Sequence, residues 1–468
     1  MGLVDSVENF FDVQEHGSSF RTEILAGLTT FLTMSYIVVV NPSILAGIPD
    51  AKPGIILAGF SPAEVRSMLA VVTILAAATA TFVMAFYANR PFAQAPGLGL
   101  NAFFAFTVVG ALGVPWQTAL AAVVVEGLIF IALTAIGARE YVIRLFPEPV
   151  KFAVGTGIGL FLAIIGLQAM GVVVDDPATL VTLGSIASDP VAIVSVVGLF
   201  FTFALYARDI PGSIIIGIVA TTVLGWAVTA FGPVAPDAGL VAGSRAVQYD
   251  ITPLAGAFLS GLSQVEAFTF SLIVFTFFFV DFFDTAGTLV GVGQAGGFLD
   301  EDGNLPDIDK PLMADAVGTT VGGMLGTSTV TTYIESASGV EEGGRTGLTA
   351  LTVAVLFVLS LAIVPLAAAI PLYASHIALV VIGVVMLRNV VDINWNDFTQ
   401  AVPAGMTILV MPFAYSIAYG IAAGIVSYPL IKLAAGRRED LRFGHWVLAG
   451  AFVVYFVVRT GGVLTAQV

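Results

Sequence analysis

The chain has 468 residues, of which 58% are hydrophobic and 10% charged, with a mean hydropathy of +0.99. A soluble domain carries roughly 25% charged residues and could not cover its surface with this composition, so the chain reads as an all-α polytopic membrane protein. A net charge of −15 without a basic patch speaks against a nucleic-acid partner, and the lack of cysteine excludes disulfides, thiolate metal sites and cysteine nucleophiles.

The first twenty residues are acidic (Asp5, Glu8, Asp12, Glu15) rather than basic and then apolar, so no cleavable signal is expected. A spanning helix needs ~20 mostly apolar residues. Such segments are predicted over 22–40, 66–88, 99–112, 115–137, 150–171, 189–207 and 211–232. A second set covers 268–291, 311–325, 327–340, 346–369, 373–388, 401–418 and 420–435, which makes fourteen. Segments 99–112, 311–325 and 327–340 are too short to span alone. They make sense as broken helices packed inside protein, because unpaired backbone cannot face lipid. The polar connection 233–267, with Pro233, Pro236 and Pro253, has room for short extracellular structure but no soluble domain. The last apolar stretch, His445–Val458, is rather short to span and reads as an interfacial or packed tail helix.

Basic residues orient this count. With the N-terminus inside, the cytoplasmic side holds Arg21, Arg90, Arg139, Arg144, Lys151, Arg208, Lys310, Arg345, Arg388, Lys432, Arg437, Arg438 and Arg442, against Lys52, Arg66 and Arg245 outside. This is the positive-inside pattern, with both termini cytoplasmic in the plasma membrane. The acidic loops fit a high-salt organism and an ordinary acidic protein alike.

Two sets of seven segments point to a duplication, and an odd repeat unit forces its copies into opposite orientations. The short segments 99–112 and 327–340 are each third in their half. Corresponding interrupted segments are the sequence pointer to a transporter site. Little identity joins the halves, so the repeat rests on pattern.

Carboxylates at membrane depth are costly and mark substrate or ion paths. Asp281 and Asp284 lie three apart on one segment, about one turn apart on the same face, with no lysine or arginine in that span. Two such groups repel in a low dielectric and burial favours the neutral form, so one is expected to carry a proton. The bland alternative is a helix-end cap or a hydrogen-bonded core acid. Glu335 follows the run Thr327–Thr332, which reads as a short strand leading into a half-helix; the alternative is a first-turn Glu complementing the dipole. Asn101 lies in the matching break, Pro96–Phe104, and either meets a planar ligand or caps a broken helix. Glu126 and Asp315 are candidates for supporting acids or proton sites, with a structural role the more economical reading. The same holds for His376. The stretch Gly291–Gly296 matches a dinucleotide-binding glycine pattern, but it trails a membrane span where that motif requires a preceding strand, so helix packing explains it better.

The candidate site combines these acids and the amide with hydroxyls (Thr288, Thr331, Thr332) and aromatics (Phe103, Phe104, Phe282, Phe283, Tyr333), and has no fixed positive charge. A cation or a neutral, N–H-rich heteroaromatic fits better than an anion, because carboxylates accept ring N–H groups and aromatic faces stack on a planar ring.

Several runs carry a resemblance. Phe20–Met34, Asn41-Pro42, Gly97–Phe104, Asp281–Thr288, Gly326–Gly339 and Gly343–Thr349 resemble the AzgA-like adenine/guanine/hypoxanthine permeases of the nucleobase–cation symporter superfamily, over about residues 15–440. The resemblance implies a seven-plus-seven inverted repeat, with short strands in the broken third and tenth segments. It implies a core domain (1–137 and 260–370), a gate domain (138–259 and 371–440) and a tail helix (441–468). It further implies purine uptake by proton symport with elevator-like movement of core against gate, and a homodimer through the gate. By matching motifs, Asn101, Asp281 and Glu335 bind the base, Asp284 serves transport, and Gly99 shapes the site. The full candidate set adds Phe104, Phe282 and Thr332 at the substrate, Glu126 and Glu335 in proton coupling, and Gly287 in shaping the site. The expected partners are a purine and the bilayer; no metal or cofactor is expected beyond a coupling ion, H+. Among rival readings, an anion carrier of the same architecture would want a basic residue in 327–340, where none stands. An intramembrane protease would want a Gly-x-Gly-Asp or His-Glu-x-x-His pattern, and neither occurs. A channel is set aside by resemblance alone.

Overall fold

The computed structural model describes residues 3–49, 52–137, 147–232, 234–235, 238–241, 247–263, 265, 267–301 and 305–460. Arg139, Arg144, Arg245, Pro233 and Pro236 lie outside these residues. Among the described residues nine helices are long and apolar enough to cross a membrane, from Phe20–Leu45 to Ile417–Ala434. Shorter apolar helices cover Leu98–Ala111, Pro190–Tyr206, Phe398–Phe413 and Phe443–Val454. The chain is thus a helical, polytopic membrane-type protein.

It separates into two compact units, Met1–Ile136 with Ile165–Val381, and Gly137–Ile164 with Ile382–Val468. The helices that position the site all belong to the first. They are α1 (Phe20–Met34), α2 (Ile37–Leu45), α3 (Pro62–Val83), α4 (Leu98–Ala102), α5 (Trp116–Ala135), α6 (Ala267–Ala295), α7 (Asp309–Leu325), α8 (Ser336–Glu341) and α9 (Gly347–Ser360). Among the described residues four short strands accompany them: β1 (Gln94–Pro96), β2 (Val173–Asp176), β3 (Leu180–Leu183) and β4 (Val330–Thr332). Strands β2 and β3 form a largely exposed hairpin, and β1 pairs antiparallel with β4 in the register Gln94 to Thr332, Ala95 to Thr331 and Pro96 to Val330.

Small residues let these helices close on one another, as membrane helices do when no hydrophobic effect drives them together. On α5, a Cβ at Gly127 would stand 2.4 Å from the Thr320 hydroxyl of α7; on α7, one at Gly318 would stand 2.6 Å from the Ala80 methyl of α3. The fully buried Glu23 of α1 caps α9 from outside. Its carboxylate accepts from the amides of Arg345, Thr346 and Thr349 and, at 2.5 Å, from the Thr349 hydroxyl. These are the donors a helix start leaves without an intrahelical partner.

In the second unit Phe398–Phe413 packs on Ile417–Ala434. Asp397 caps the first of these helices through the Thr399 amide and pairs with Arg437 at 2.6 Å. The expected tail helix extends over Phe443–Thr460 and packs on Ile417–Ala434 through Tyr419 with Phe456 and Tyr428 with His445. A polar cavity of about 420 Å³, lined by Glu148, Gln400, Tyr428, Lys432, Asp440 and Arg442 among others, belongs to this unit.

Among the described residues the β1–β4 pair has no further strand on either side, yet the outer groups of Gln94 and Val330 are satisfied. The Thr81 hydroxyl of α3 accepts from the Gln94 amide at 3.0 Å and donates to the Gln94 carbonyl at 3.1 Å. The Thr319 hydroxyl of α7 does the same for Val330, at 3.2 and 2.7 Å. Thr81→Val and Thr319→Val keep the side-chain shape and orphan a buried strand residue, which costs on the order of 1–3 kcal/mol. Thermal unfolding in detergent is expected to show both valine variants destabilised and Thr81→Ser close to the parent; valine variants as stable as the parent would refute this role.

Candidate functional site

Two interrupted segments meet in the first unit. In the first, β1 leads through Gly97 into α4, which continues as a π-helix over Phe103–Ala111. In the second, α7 ends at Gly326, β4 follows, and Tyr333–Glu335 leads into α8. Gly326 adopts φ +105 and lets the amides of Gly326 and Thr327 return to the Gly322 carbonyl; a side chain there would also strike Leu254. At Gly97 a Cβ would stand 2.7 Å from the Thr331 methyl, so glycine is what lets the two breaks touch. Beyond the strands, the Gly97 amide reaches the Thr329 carbonyl and the Tyr333 amide reaches the Ala93 carbonyl, each at 3.0 Å.

Helix α6 is the common neighbour. It packs against α4, α5, α7, β4 and α8, and so faces both breaks. Its two aspartates do different things. A step of three residues turns a helix by roughly 300°, so the carboxyls share a broad face but diverge. Asp281 is fully buried and lies against Glu126 of α5, with Asp315 of α7 within charge reach. Asp284 is half-buried and feels the charge of Glu335 across the second break. Glu335, also half-buried, makes no capping bond to α8; its carboxylate accepts the Tyr36 hydroxyl at 2.5 Å from the α1–α2 junction. Glu335 thus stands at the start of α8 with its carboxylate held by Tyr36.

Asn101 is fully buried inside α4 rather than at its cap. The Ser328 hydroxyl bonds its Oδ1, and its amide reaches the Pro96 carbonyl at 3.4 Å, so it ties the two breaks together. Thr332 sits inside the protein, accepting from the Gln94 amide and donating to Asp315 Oδ1, each at 3.2 Å. Phe104 is fully buried. Phe282 is 2% exposed, within an aromatic cluster of Phe130, Phe278 and Phe283, while Phe283 is half-exposed beside Asp284. Gly99 is half-buried in the first turn of α4. Gly287, one turn after Asp284, is exposed, and a Cβ there would meet open space. His376 is buried and returns Nδ1 to the Leu372 carbonyl of its own helix, the satisfied polar residue of the plainer reading.

The structure therefore brings together Asp284 with Glu335, Asp281 with Glu126 and Asp315, and Asn101 with the second break. It adds residues that sequence reasoning passed over. Tyr36 holds Glu335; Gln94 bridges Thr332 and Asp315; the Thr285 hydroxyl meets that of Thr331 at 2.7 Å. Asn41 donates to Thr73 and Thr327, joining α2 to the second break. The available signal was the cost of a lone phenol or amide inside an apolar run, which has to find a partner.

Comparison with known proteins follows the same lines. The transmembrane domain of a cyanobacterial bicarbonate transporter, BicA, superimposes with a TM-score of 0.59 at 16% identity, over 86% of this chain and 97% of that one, a likeness of fold alone. The adenine permease AdeP of Escherichia coli is 40% identical over 96% of both chains. The guanine/hypoxanthine permease PbuG of Bacillus subtilis is 38% identical over 96% of this chain and 99% of its own. The Permease family profile, Xan_ur_permease, matches residues 21–423. With that match and these relatives, the chain belongs to the Xan_ur_permease family, a family of membrane permeases and not of enzymes.

Proposed function

We propose that this chain imports purine nucleobases, adenine, guanine or hypoxanthine, by proton symport with elevator-like alternating access. The observation that carries the reading is the half-buried Asp284–Glu335 pair, set where α6 passes the second break, with no Lys, Arg or His among the described residues acting on its charge. Purines present ring N–H and amine donors along a flat edge, and carboxylates are the strong acceptors for them. The half-exposed Phe283 and the open space at Gly287 stand beside Asp284, as a stacked planar guest requires. The relatives named for adenine and for guanine/hypoxanthine transport support the same substrate class. An anion carrier of similar fold is disfavoured by the acids themselves.

In this reading Asn101, Asp281, Glu335, Phe104, Phe282 and Thr332 serve the base, Asp284, Glu335 and Glu126 serve coupling, and Gly99 and Gly287 shape the space. The fourteen-span, seven-plus-seven repeat belongs to the same proposal. Its support is the matched pair of breaks, in which Thr81 and Thr319 play one role on the helices that precede β1 and β4. The segments 1–137 and 260–370 act as the core, 138–259 and 371–440 as the gate and dimer surface, and 441–468 as the tail. The excess of cytoplasmic Lys and Arg supports a plasma-membrane protein with both termini inside.

Uptake of labelled hypoxanthine, competed by a panel of bases with and without a protonophore, tests the whole. Competition by purines but not by inorganic anions, and loss of accumulation with the protonophore, is expected; competition by bicarbonate or sulfate alone would overturn it. Asp281→Asn and Glu335→Gln are each expected to abolish purine binding in titrations of folded, monodisperse protein, and normal uptake by either refutes its assignment. Asp284→Asn is expected to bind purine yet fail to accumulate it against a gradient, and accumulation unaltered at every pH counts against that role.

A further inference from the structure

The polar cavity of the second unit has no part in the purine reading. Its volume, about 420 Å³, falls within the ~300–1,000 Å³ of ligand sites. Four stretches of chain converge on it: Glu148 at the start of helix Glu148–Ala169, Gln400 in the first turn of Phe398–Phe413, Tyr428 and Lys432 toward the end of Ile417–Ala434, and Glu439 with Arg442 in the link to the tail helix. All of them lie in one compact unit. Two side chains of the wall are firmly set. Lys432 is almost fully buried, pairs with Asp440 at 2.6 Å and stands 5.8 Å from the centre of the Tyr428 ring. Tyr428 is buried, and the His445 ring closes on it edge-on at 5.1 Å.

The charges at the cavity are mixed and nearly balanced. With Lys432 taken up by Asp440, Glu148 and Glu439 remain, against Arg442 and against Lys151, which lies within charge reach of both Glu148 and Arg442. The Tyr428 hydroxyl feels the charges of Glu148, Asp397, Asp440 and Arg442, yet among the described residues nothing forms a hydrogen bond to it. A plain anion would meet Glu148 and Glu439, and a plain cation would meet Arg442 and Lys151; a ligand bearing both signs suits the whole set. The rim supplies a second indication. Trp395 and Phe398 precede Gln400, Leu430 and Leu433 flank Lys432, Phe443 and Trp446 follow Arg442, and all six are exposed. Exposed tryptophan beside Lys and Arg marks the boundary between hydrocarbon and water. The cavity therefore opens at head-group depth, on the cytoplasmic side in the orientation proposed above, with apolar surface beside it.

We infer that this cavity is a lipid head-group site whose occupant carries a phosphodiester and a primary ammonium, the chemistry of an aminophospholipid. The Arg442 guanidinium and the Tyr428 hydroxyl serve the phosphate, to which arginine can give two parallel N–H bonds. Glu148, Glu439 and the Gln400 side-chain carbonyl take the three N–H donors of the ammonium. The acyl chains run outward along Phe398, Leu430 and Phe443. A soluble zwitterion shares the polar half of this chemistry but has no use for that apolar surface. An acidic lipid without an ammonium leaves Glu148 and Glu439 facing its phosphate unserved, which is how the site discriminates. None of these residues belongs to the purine reading, so the lipid site and the transport reading stand or fall separately.

The test uses the full chain, purified in detergent, stripped of lipid and then offered dioleoyl phosphatidylethanolamine, phosphatidylcholine or phosphatidylglycerol. Native mass spectrometry reads the lipid retained, and thermal unfolding reads the protection it gives. The ethanolamine lipid is expected to be held at least about tenfold more tightly than the glycerol lipid. The choline lipid, whose ammonium has no N–H to donate, should be held less well than the ethanolamine lipid. Combining Glu148→Gln with Glu439→Gln should remove the preference for ethanolamine over glycerol, and Tyr428→Phe should weaken retention of the ethanolamine lipid. Both variants are expected to keep the lipid-free unfolding midpoint and the hypoxanthine binding of the wild type. Should the double variant not fold, Tyr428→Phe, which removes a single hydroxyl, decides. Equal retention of the three lipids, a preference for the glycerol lipid, a double variant that keeps the wild-type preference, or unchanged retention by Tyr428→Phe overturns the proposal. Free phosphoethanolamine that protects at the same concentration as the lipid also overturns it, because the occupant is then a soluble zwitterion.

Discussion

A chain that interrupts its helices inside a membrane must find partners there for every backbone group it frees, because hydrocarbon offers none. The β1–β4 pair is how this protein meets that demand, and the rest of the first unit is arranged around it. Each break satisfies the other through the ladder, and the strand edges are closed by single threonine hydroxyls that both donate and accept. Once two breaks must lie side by side, Gly97 has to be a glycine and α7 has to end in a left-handed residue.

The same requirement explains how polar side chains come to gather at one place. Strand pairing brings Gln94 next to Thr332 and thereby to Asp315; it brings Thr331 to Thr285 of α6. Asn41 donates its side-chain amide to Thr327, and Asn101 accepts the Ser328 hydroxyl, both on the segment before β4. These bonds hold the breaks rigidly, so that Asp284 and Glu335 approach one another without either being locked into the scaffold's own ladder. A binding site gains from such fixed surroundings because less ordering remains to be done when the ligand arrives.

The likeness of fold to a bicarbonate transporter at 16% identity shows how little the architecture alone says about the solute. One architecture can serve different solutes if the side chains at its site change, because function belongs to the site. Here the breaks and the helix that faces them carry acids, amides and hydroxyls, and the small residues at helix crossings keep the acids within reach of one another.

How much of this was legible beforehand depends on the kind of interaction. Apolar runs of spanning length, the bias of Lys and Arg, the short third and tenth segments and the acids among them are properties of neighbours in the chain, so the sequence by itself determined the membrane class, the location of the breaks and the roster of acids. It also carried the family, through runs such as Gly97–Phe104 and Asp281–Thr288. Only the tertiary structure decided which acid meets which. Asp281 and Asp284 look equivalent at a spacing of three, but the helical turn sends one to Glu126 and Asp315 and the other to Glu335. Tyr36 and Glu335 are 299 residues apart, and Gln94 and Asp315 221; no local pattern encodes such pairs, because they exist only after two distant breaks have shared their backbone hydrogen bonds.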